Sequence, residues 1–357
     1  MDIMSLATEL NLMGKFVYNV LYKWVLSWGI DGEVIGAFAV TVILFTLILK
    51  LATAPLDVWQ KIIARSNSKK MEVMKPELDK INKLYANDRN MLAVKQREVY
   101  QKYKYSTFKA CLPTIVTLVV FMVVFSGFNS AVKYHNSVVF DNLKTVYEET
   151  YASAYDQSVA EGRNAVESAD IATEIAEKAV VDSYELERFL LTDNIFMPDT
   201  WKSPIPDVST YAGSGMGKLG ITEVDKTTYE KVMKPVIEEY NFNEKGKNAW
   251  NGYLILPILV GVLSIVSSKL IKPPEQPQVA GQTEEQAKMQ QSQAKMMQYM
   301  MPLMMSVFSL FYSAAFSLYM FVSSLFSFIF NLVWNIIQKK QDAIERDRVM
   351  STTVKKK

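Results

Sequence analysis

Apolar residues gather into five long runs along this chain, separated by strongly charged segments. The first run, Gly36 to Leu56, is uncharged except for Lys50. The others extend from Cys111 to Phe128, Gly252 to Ile271, Met296 to Ala315 and Phe316 to Ile337. About 20 apolar residues in a helix match the hydrocarbon thickness of a bilayer, so each run predicts a transmembrane helix. The last two abut, but together they are far too long for one ordinary span and count as two. The expected fold class is therefore all-α, a polytopic membrane protein with five transmembrane helices.

Between the runs the pattern changes. From about Asn11 to Trp28, the polar residues Lys15, Asn19, Lys23 and Ser27 recur at every fourth position, with Phe16, Val17, Val20, Leu21, Trp24 and Val25 filling the other side. This predicts an amphipathic helix lying in the headgroup region, with tryptophans at the polar boundary. A signal peptide fits less well, because polar residues run through its middle and no small-residue cleavage motif closes it. After the first span, Met71, Met74, Leu78, Ile81 and Tyr85 follow three- and four-residue spacing, and Asn87-Asp88 predicts a turn before a return helix. A helical hairpin over 57–109 results. Beyond the second span, Asp141 to Leu191 is Ala- and Glu-rich and reads as helical. Asn194 to Tyr211 is broken by prolines, and Lys226 to Tyr240 predicts a further helix.

The expected organisation follows in chain order. Residues 1–35 form an outside N-terminus with its interfacial helix. Residues 36–128 hold the first two spans and the hairpin, and 129–251 form an acidic extracytoplasmic loop with a helical insertion. Spans three to five occupy 252–338, with a Pro- and Gln-rich linker at 272–295, and 339–357 is a basic tail.

Charge sets the orientation. The hairpin from Asp57 to Lys109 carries 13 Lys and Arg against 6 Asp and Glu, and the tail from Gln338 carries 7 against 3. The segment Asn129 to Asn251 carries 12 against 21. Positive segments stay in the cytoplasm, which puts the hairpin and tail inside and the N-terminus outside. The chain is thus expected to be multi-pass, with its N-terminus outside and its C-terminus in the cytoplasm. A single Cys, Cys111, excludes an internal disulfide framework, and a single His, His135, makes a metal site improbable. No cofactor is expected. The glycine-rich GSGMGKLG at Gly213 to Gly220 resembles a phosphate loop only superficially. Ala212 stands where the first glycine is needed and Leu219 where a magnesium-binding Ser or Thr belongs.

Lys50 is the chemistry-bearing candidate. A charge within a span costs about 2.5–3.5 kcal/mol on insertion scales and marks function by default. Lys50 lies six residues inside Leu56, about 9 Å at the helical rise, so its stem can also carry the ammonium towards the interface. Thr114, Thr117, Ser264, Ser267, Ser268 and Ser324 offer hydroxyls that can line a hydrated groove with it. Serines in spans also serve simply to let helices approach closely.

Several motifs in order resemble one family. A span ends in a basic residue and Pro55-Leu56, and a helix from Met71 to Tyr85 reads M-x-x-M-K-P-E-L-x-K-I-x-K-L-Y. Cys111-Leu112-Pro113 opens the second span, and the third carries Pro257 and Gly261. Met301-Pro302 and Leu318-Tyr319 mark the last two. The chain is similar to the YidC-type membrane protein insertases in their five-span form, over about Asn11 to Phe128 and Asn194 to Gln338. On this resemblance, Lys50 stands where the family usually carries an arginine facing a groove open to the cytoplasm and lipid. Lysine keeps the charge but lacks arginine's planar fork and its resistance to deprotonation. Ser267 or Ser268 replaces a frequent glutamine, and Met320 a frequent aromatic residue. The segment 131–191 reads as an insertion.

The resemblance implies an insertase that inserts and helps fold newly made membrane proteins, without catalytic chemistry. Lys75, Pro76, Lys80 and Tyr85 on the hairpin are the candidates for substrate capture. The implied partners are nascent membrane-protein substrates and the lipid bilayer, with the ribosome and Sec translocon as further partners and no sequence-specific nucleic-acid recognition. The main alternative is a solute or ion transporter using Lys50 as its binding charge, which the lack of paired internal repeats disfavours. A Ser–Lys hydrolase lacks an accompanying nucleophile motif. A scaffold acting through the acidic loop is compatible with insertion.

Overall fold

The computed structural model describes residues 10–354 apart from positions 31, 33, 106, 244, 245, 271–291, 293–295, 297, 298, 301 and 302. The linker read at 272–295 therefore lies outside the described residues except for position 292, as does the tip of the basic tail. The backbone divides into two compact units. One comprises Met1–Thr46, Met122–Val260 and Ser306–Val322, the other Leu47–Phe121, Gly261–Met305 and Ser323–Lys357.

The described fold is all-helical apart from isolated β-bridges. Element α1 combines Leu12–Lys15, a π-helical stretch Phe16–Tyr22 and Lys23–Leu26. The long helix α2 spans Ala37–Leu84, α3 Arg89–Lys102, α4 Thr107–Ala160 and α5 Ala165–Asp182. The short α6 is Val208–Tyr211, followed by α7, Lys226–Tyr240, α8, Ile255–Leu270, and α9, Ala314–Val354. Three of these are long and apolar enough to cross a membrane: α2, the Ile115–Ala160 part of α4, and α9 over Ala314–Ile344. Five were expected. The third run yields α8, an apolar helix whose described residues are Ile255–Leu270 and whose start is set by a cap. Asp199 accepts hydrogen bonds from the amides of Leu254 (3.1 Å) and Leu256 (2.7 Å), leaving Gly252 to Leu254 outside the helix. Of the fourth run, Met301-Pro302 and several neighbours lie outside the described residues; 303–309 is helical and the chain then turns. Ala314 and Ala315 belong to α9, not to the fourth run. Their amides donate to the carbonyls of Met197 and Ile195 at 2.8 and 2.9 Å, which satisfies orphan donors at a helix start.

In the first unit, α1 presents three faces where the sequence suggested two. Val17, Leu21 and Val25 are buried at four-residue spacing, while Phe16, Val20, Trp24 and Trp28 remain exposed beside the polar stripe. Asn11 caps the helix by accepting from the Gly14 amide at 2.7 Å. The second span does not end at Phe128; α4 continues unbroken to Ala160. Gly162, with φ +88°, then takes the left-handed conformation that stops a helix, and Asn164 caps α5. This extension packs with α5 and α7. Phe140, Leu143, Tyr147, Val180, Tyr211, Tyr229 and Val236 form a buried core there.

Glu187 ties α1 to the start of α2. It accepts from the Tyr22 hydroxyl and, at 3.3 Å, from the Phe38 amide. A methyl at Gly36 would lie 2.2 Å from a Glu187 carboxylate oxygen, so a side chain there would displace this carboxylate. Burial raises the Glu187 carboxyl above its ordinary value of 4.5, against the lowering effect of the Tyr22 and Phe38 hydrogen bonds. A raised acid means that the folded state holds the proton more tightly. Its contribution is complete below the unfolded pKa and is lost as pH rises through the folded one. Glu187→Gln keeps a partner for Tyr22 and removes this loss. It is expected to flatten the Tm–pH profile above pH 5 and to raise Tm at pH 8 by roughly 2–4 °C, the shift for about 1 kcal/mol in a body of this size.

In the second unit, the lower half of α2 pairs with α3. Met71, Met74, Leu78 and Val99 are buried, with Ile81, Tyr100, Tyr103 and Tyr105 packed around them. Asp88 caps α3 by accepting from the Met91 amide at 3.0 Å. Glu77 binds the Lys102 ammonium at 2.8 Å and the Tyr103 hydroxyl at 3.0 Å, and Gln96 donates to Asn82 at 2.7 Å. Met74 is fully buried. Met74→Ala is expected to destabilise the hairpin by about 2–5 kcal/mol, read as faster amide exchange across 71–103 in the full-length protein.

Candidate functional site

The second unit places Lys50 on the apolar stretch of α2, half-buried among its neighbours. Its ammonium donates to the Ser327 hydroxyl on α9 at 3.2 Å. Two turns further along α2 is Asp57, also half-buried, and Lys61 follows it by one turn. Both lysines interact with the Asp57 charge. The result is a polar stripe of alternating sign on one face of α2. On its other side, Leu47, Ile48 and Leu51 are exposed, as suits a face turned to lipid. Pro55 lies inside the helix, and a proline leaves the carbonyl four residues earlier without its partner. That carbonyl belongs to Leu51, next to Lys50.

A second pair of contacts shows how α2 and α9 align. Arg65 donates to Gln341 at 2.6 Å and pairs with Asp342. From Lys50 to Arg65, and from Ser327 to Asp342, is the same 15 residues, roughly 22 Å of helix. The two helices therefore run parallel and in register over that length. On α8 and α9 the partners also ascend together. Ser264 and Ser324 hydroxyls meet at 3.3 Å, Asn331 donates to Ser267 at 3.2 Å, and Asn335 donates to the Leu270 carbonyl at 3.1 Å.

These contacts sort the residues singled out from the sequence. Ser264, Ser267 and Ser324 join α8 to α9, and Ser268 donates back to the Ser264 carbonyl at 2.8 Å. Ser267 and Ser268 are buried. Interhelical hydrogen bonds of this kind contribute roughly 0.6–2 kcal/mol in a membrane, enough to fix how α8 and α9 pack. Thr117 is exposed on α4. The side chain of Thr114 lies outside the described residues. On the hairpin, Lys75, Pro76 and Lys80 are exposed, pointing away from the Met71–Met74–Leu78 core, and Tyr85 is half-buried at the end of α2.

Ser327, which accepts a hydrogen bond from the Lys50 ammonium, was missed from sequence. Its signal was present: Ser324, Ser327, Asn331 and Asn335 recur at three- and four-residue steps, a polar stripe on a helix whose Ile329, Leu332, Val333 and Ile336 are exposed. His135, the lone histidine, stacks on Phe196 with ring centres 3.6 Å apart and shares a 3.2 Å hydrogen bond with Tyr18. Among the described residues no group of three metal-ligating side chains converges.

Known proteins match most of this chain. A profile described as 60Kd inner membrane protein matches residues 30–168 and 181–342. The match covers 131–168 and 181–191 of the segment read from sequence as an insertion. A protein of Fusobacterium nucleatum subsp. nucleatum named membrane protein insertase YidC is 30% identical over 119 residues, 33% of this chain and 56% of the relative. A protein of the same name from Clostridium tetani is 30% identical over 94 residues, 26% of this chain and 41% of that one. Another, from Bacteroides fragilis, is 27% identical over 124 residues, 34% of this chain and 18% of that one. The chain thus spans about half, or less, of the curated relatives it matches. With the profile covering most of its length, the chain belongs to the 60Kd inner membrane protein family, the YidC/Oxa1 group.

Proposed function

We propose that this protein is a membrane protein insertase, working by physical means and without bond-making chemistry or a cofactor. One observation carries the reading: a half-buried lysine on an apolar helix, held to Ser327 and accompanied by Asp57 and Lys61, in a chain whose relatives are named insertases. An unpaired polar group costs several kcal/mol in hydrocarbon. A groove containing Lys50 and hydroxyls gives a client's polar segment a hydrated path, while its apolar segment moves into lipid. The positive charge of Lys50 attracts acidic residues in that polar segment.

The reading includes five spans, with the N-terminus outside and the hairpin and tail in the cytoplasm. The parallel pairing of α2, α8 and α9 supports it. Helices that run the same way need a return crossing between them, which α4 supplies once and the fourth apolar run supplies again. The hairpin over 57–109, with Lys75, Pro76, Lys80 and Tyr85 on its surface, captures clients before they enter the groove. The basic tail favours the RNA-rich surface of a translating ribosome, and the Sec translocon is a further partner. Localisation in a bacterial plasma membrane completes the reading.

Purified full-length protein in liposomes tests the proposal. A radiolabelled single-span client with an acidic polar segment is expected to become protease-protected in these vesicles well above the level in protein-free ones. Equal protection in both would defeat it.

A further inference from the structure

The glycine-rich segment Gly213 to Gly220 is not absorbed by the reading above. In the first unit it forms one wall of a cavity of about 230 Å³. Other walls come from the end of the apolar stretch of α4, at Asn129 to Lys133, from Phe196 to Pro198, and from the turn at 311–313 before α9. The only charged residues among its lining are Lys133 and Lys218. This is notable against the background, since Asn129 to Asn251 is acidic overall, with 12 basic and 21 acidic residues.

The glycines bring the cations in. Gly215, Gly217 and Gly220 all have positive φ, at 110°, 76° and 67°. A methyl on Gly217 would lie 3.0 Å from the Lys202 ammonium, and one on Gly220 would lie 3.2 Å from that of Lys133. Absence of side chains thus lets two ammonium groups approach the loop backbone, that of Lys133 from within the cavity lining and that of Lys202 from outside it, across Gly217. Lys218 donates to Ser209 at 3.1 Å, and Ser209 in turn bonds Asp207, so Lys218 is partly neutralised. Lys133 and Lys202 form none of the ion pairs among the described residues. They are the cations available to a ligand.

Position points to the kind of ligand. The cavity adjoins the polar ends of α4's apolar stretch and of α9, the level of lipid headgroups for helices that cross a membrane. Trp201, beside Lys202, is exposed, as are Trp250 and Tyr253 just before α8. The Asn251 amide donates to the Lys202 carbonyl at 2.7 Å, which joins the two chain segments that carry these aromatics, and the Trp250 and Tyr253 rings lie 6.0 Å apart. Exposed Trp and Tyr at a span's end mark the membrane–water boundary. A volume below the usual 300–1,000 Å³ of drug-sized sites suits a small anionic head.

We propose that Lys133, Lys202 and the Gly213–Gly220 loop form a binding site for a phosphoryl anion, supplied by the headgroup of an anionic phospholipid. Only the choice of leaflet rests on the insertase reading. Lysine attracts anionic lipid by about fivefold per residue, the equivalent of about 1 kcal/mol.

Full-length protein in detergent, titrated with phosphatidylglycerol, phosphatidylcholine or inorganic phosphate and followed by tryptophan fluorescence, tests this directly. Saturable binding of phosphatidylglycerol is expected to be at least tenfold tighter than that of phosphatidylcholine. The Lys133→Gln/Lys202→Gln double variant, with unchanged Tm, should lose most of that preference, whereas Lys178→Gln on α5 should keep it. Lysine-dependent binding of inorganic phosphate without a phosphatidylglycerol preference keeps the anion site and replaces its lipid source. No lysine-dependent binding of either, or an equal effect of Lys178→Gln, overturns the proposal. No insertion step is read, so failure here is separate from failure of the insertase reading.

Discussion

Lys50→Glu is expected to reduce insertion of single-span clients with acidic polar segments by about 5–30-fold, the equivalent of 1–2 kcal/mol. Lys50→Arg should retain most activity, and Lys50→Ala should fall between. The argument is electrostatic. An ammonium and a carboxylate about 4 Å apart attract by about 4 kcal/mol at the effective dielectric of a partly hydrated site, against about 1 kcal/mol in bulk water. Desolvation of both groups removes much of that gain, leaving the smaller net value. Glutamate reverses the sign and sits on the same stripe as Asp57, so client carboxylates meet repulsion instead. Arginine can still donate to Ser327. Insertion by each variant, normalised to protein with unchanged Tm, checks the order. Clients whose polar segment is uncharged should respond least.

The second large effect concerns folding of the first unit. Asn251 is completely buried. It accepts from the Asn194 amide at 2.7 Å and donates to the carbonyls of Asn194 and Pro198, both at 2.9 Å. Asn194 itself donates to the Pro204 carbonyl at 2.8 Å and accepts from the Phe196 amide at 2.9 Å. This pair of asparagines fixes the proline-broken segment that receives the starts of α8 and α9. Asn251→Ala leaves the Asn194 amide in the interior without a partner, at a cost of about 1–3 kcal/mol, and removes one of the two hydrogen bonds at each of the Asn194 and Pro198 carbonyls, which keep the Met197 and Thr200 amides. With the two lost carbonyl bonds at about 0.5–1.5 kcal/mol each, a loss of at least about 2 kcal/mol follows, and the variant's Tm in detergent should fall by roughly 4 °C or more. Lys247→Ala, an exposed neighbour, should leave Tm within a degree or two.

How much of this was legible in the sequence differs by element. Hairpin packing was readable because Met71, Met74 and Leu78 carry helical spacing and Asp88 is a capping residue. The helix at Lys226–Tyr240 was readable for the same reason. The end of α4 was not: polarity returns at Asn129, but nothing between Phe128 and Ala160 breaks a helix, and Gly162 supplies the stop. Apolarity marks where lipid begins, whereas helix continuity is set by breakers and caps. The start of α8 was hidden because Asp199, which caps it, is more than fifty residues upstream. At the site, the apolar run exposed Lys50 plainly. Its partner was harder to find, since the choice of Ser327 over Ser324 depends on how α2 and α9 are rotated about their axes. The roles of Ser264 and Ser267 in joining α8 to α9 depend on the same rotation.

The central claim is that the Lys50 charge acts directly on the client's polar segment. A double-mutant cycle in proteoliposomes measures that coupling. Parent and Lys50→Glu proteins are each given a client with its acidic segment intact and one with those acids changed to lysine. The account predicts that the parent inserts the acidic client best, that Lys50→Glu impairs it, and that the basic client restores insertion by Lys50→Glu. Insertion in which the client's charge has the same effect on both proteins would contradict the account.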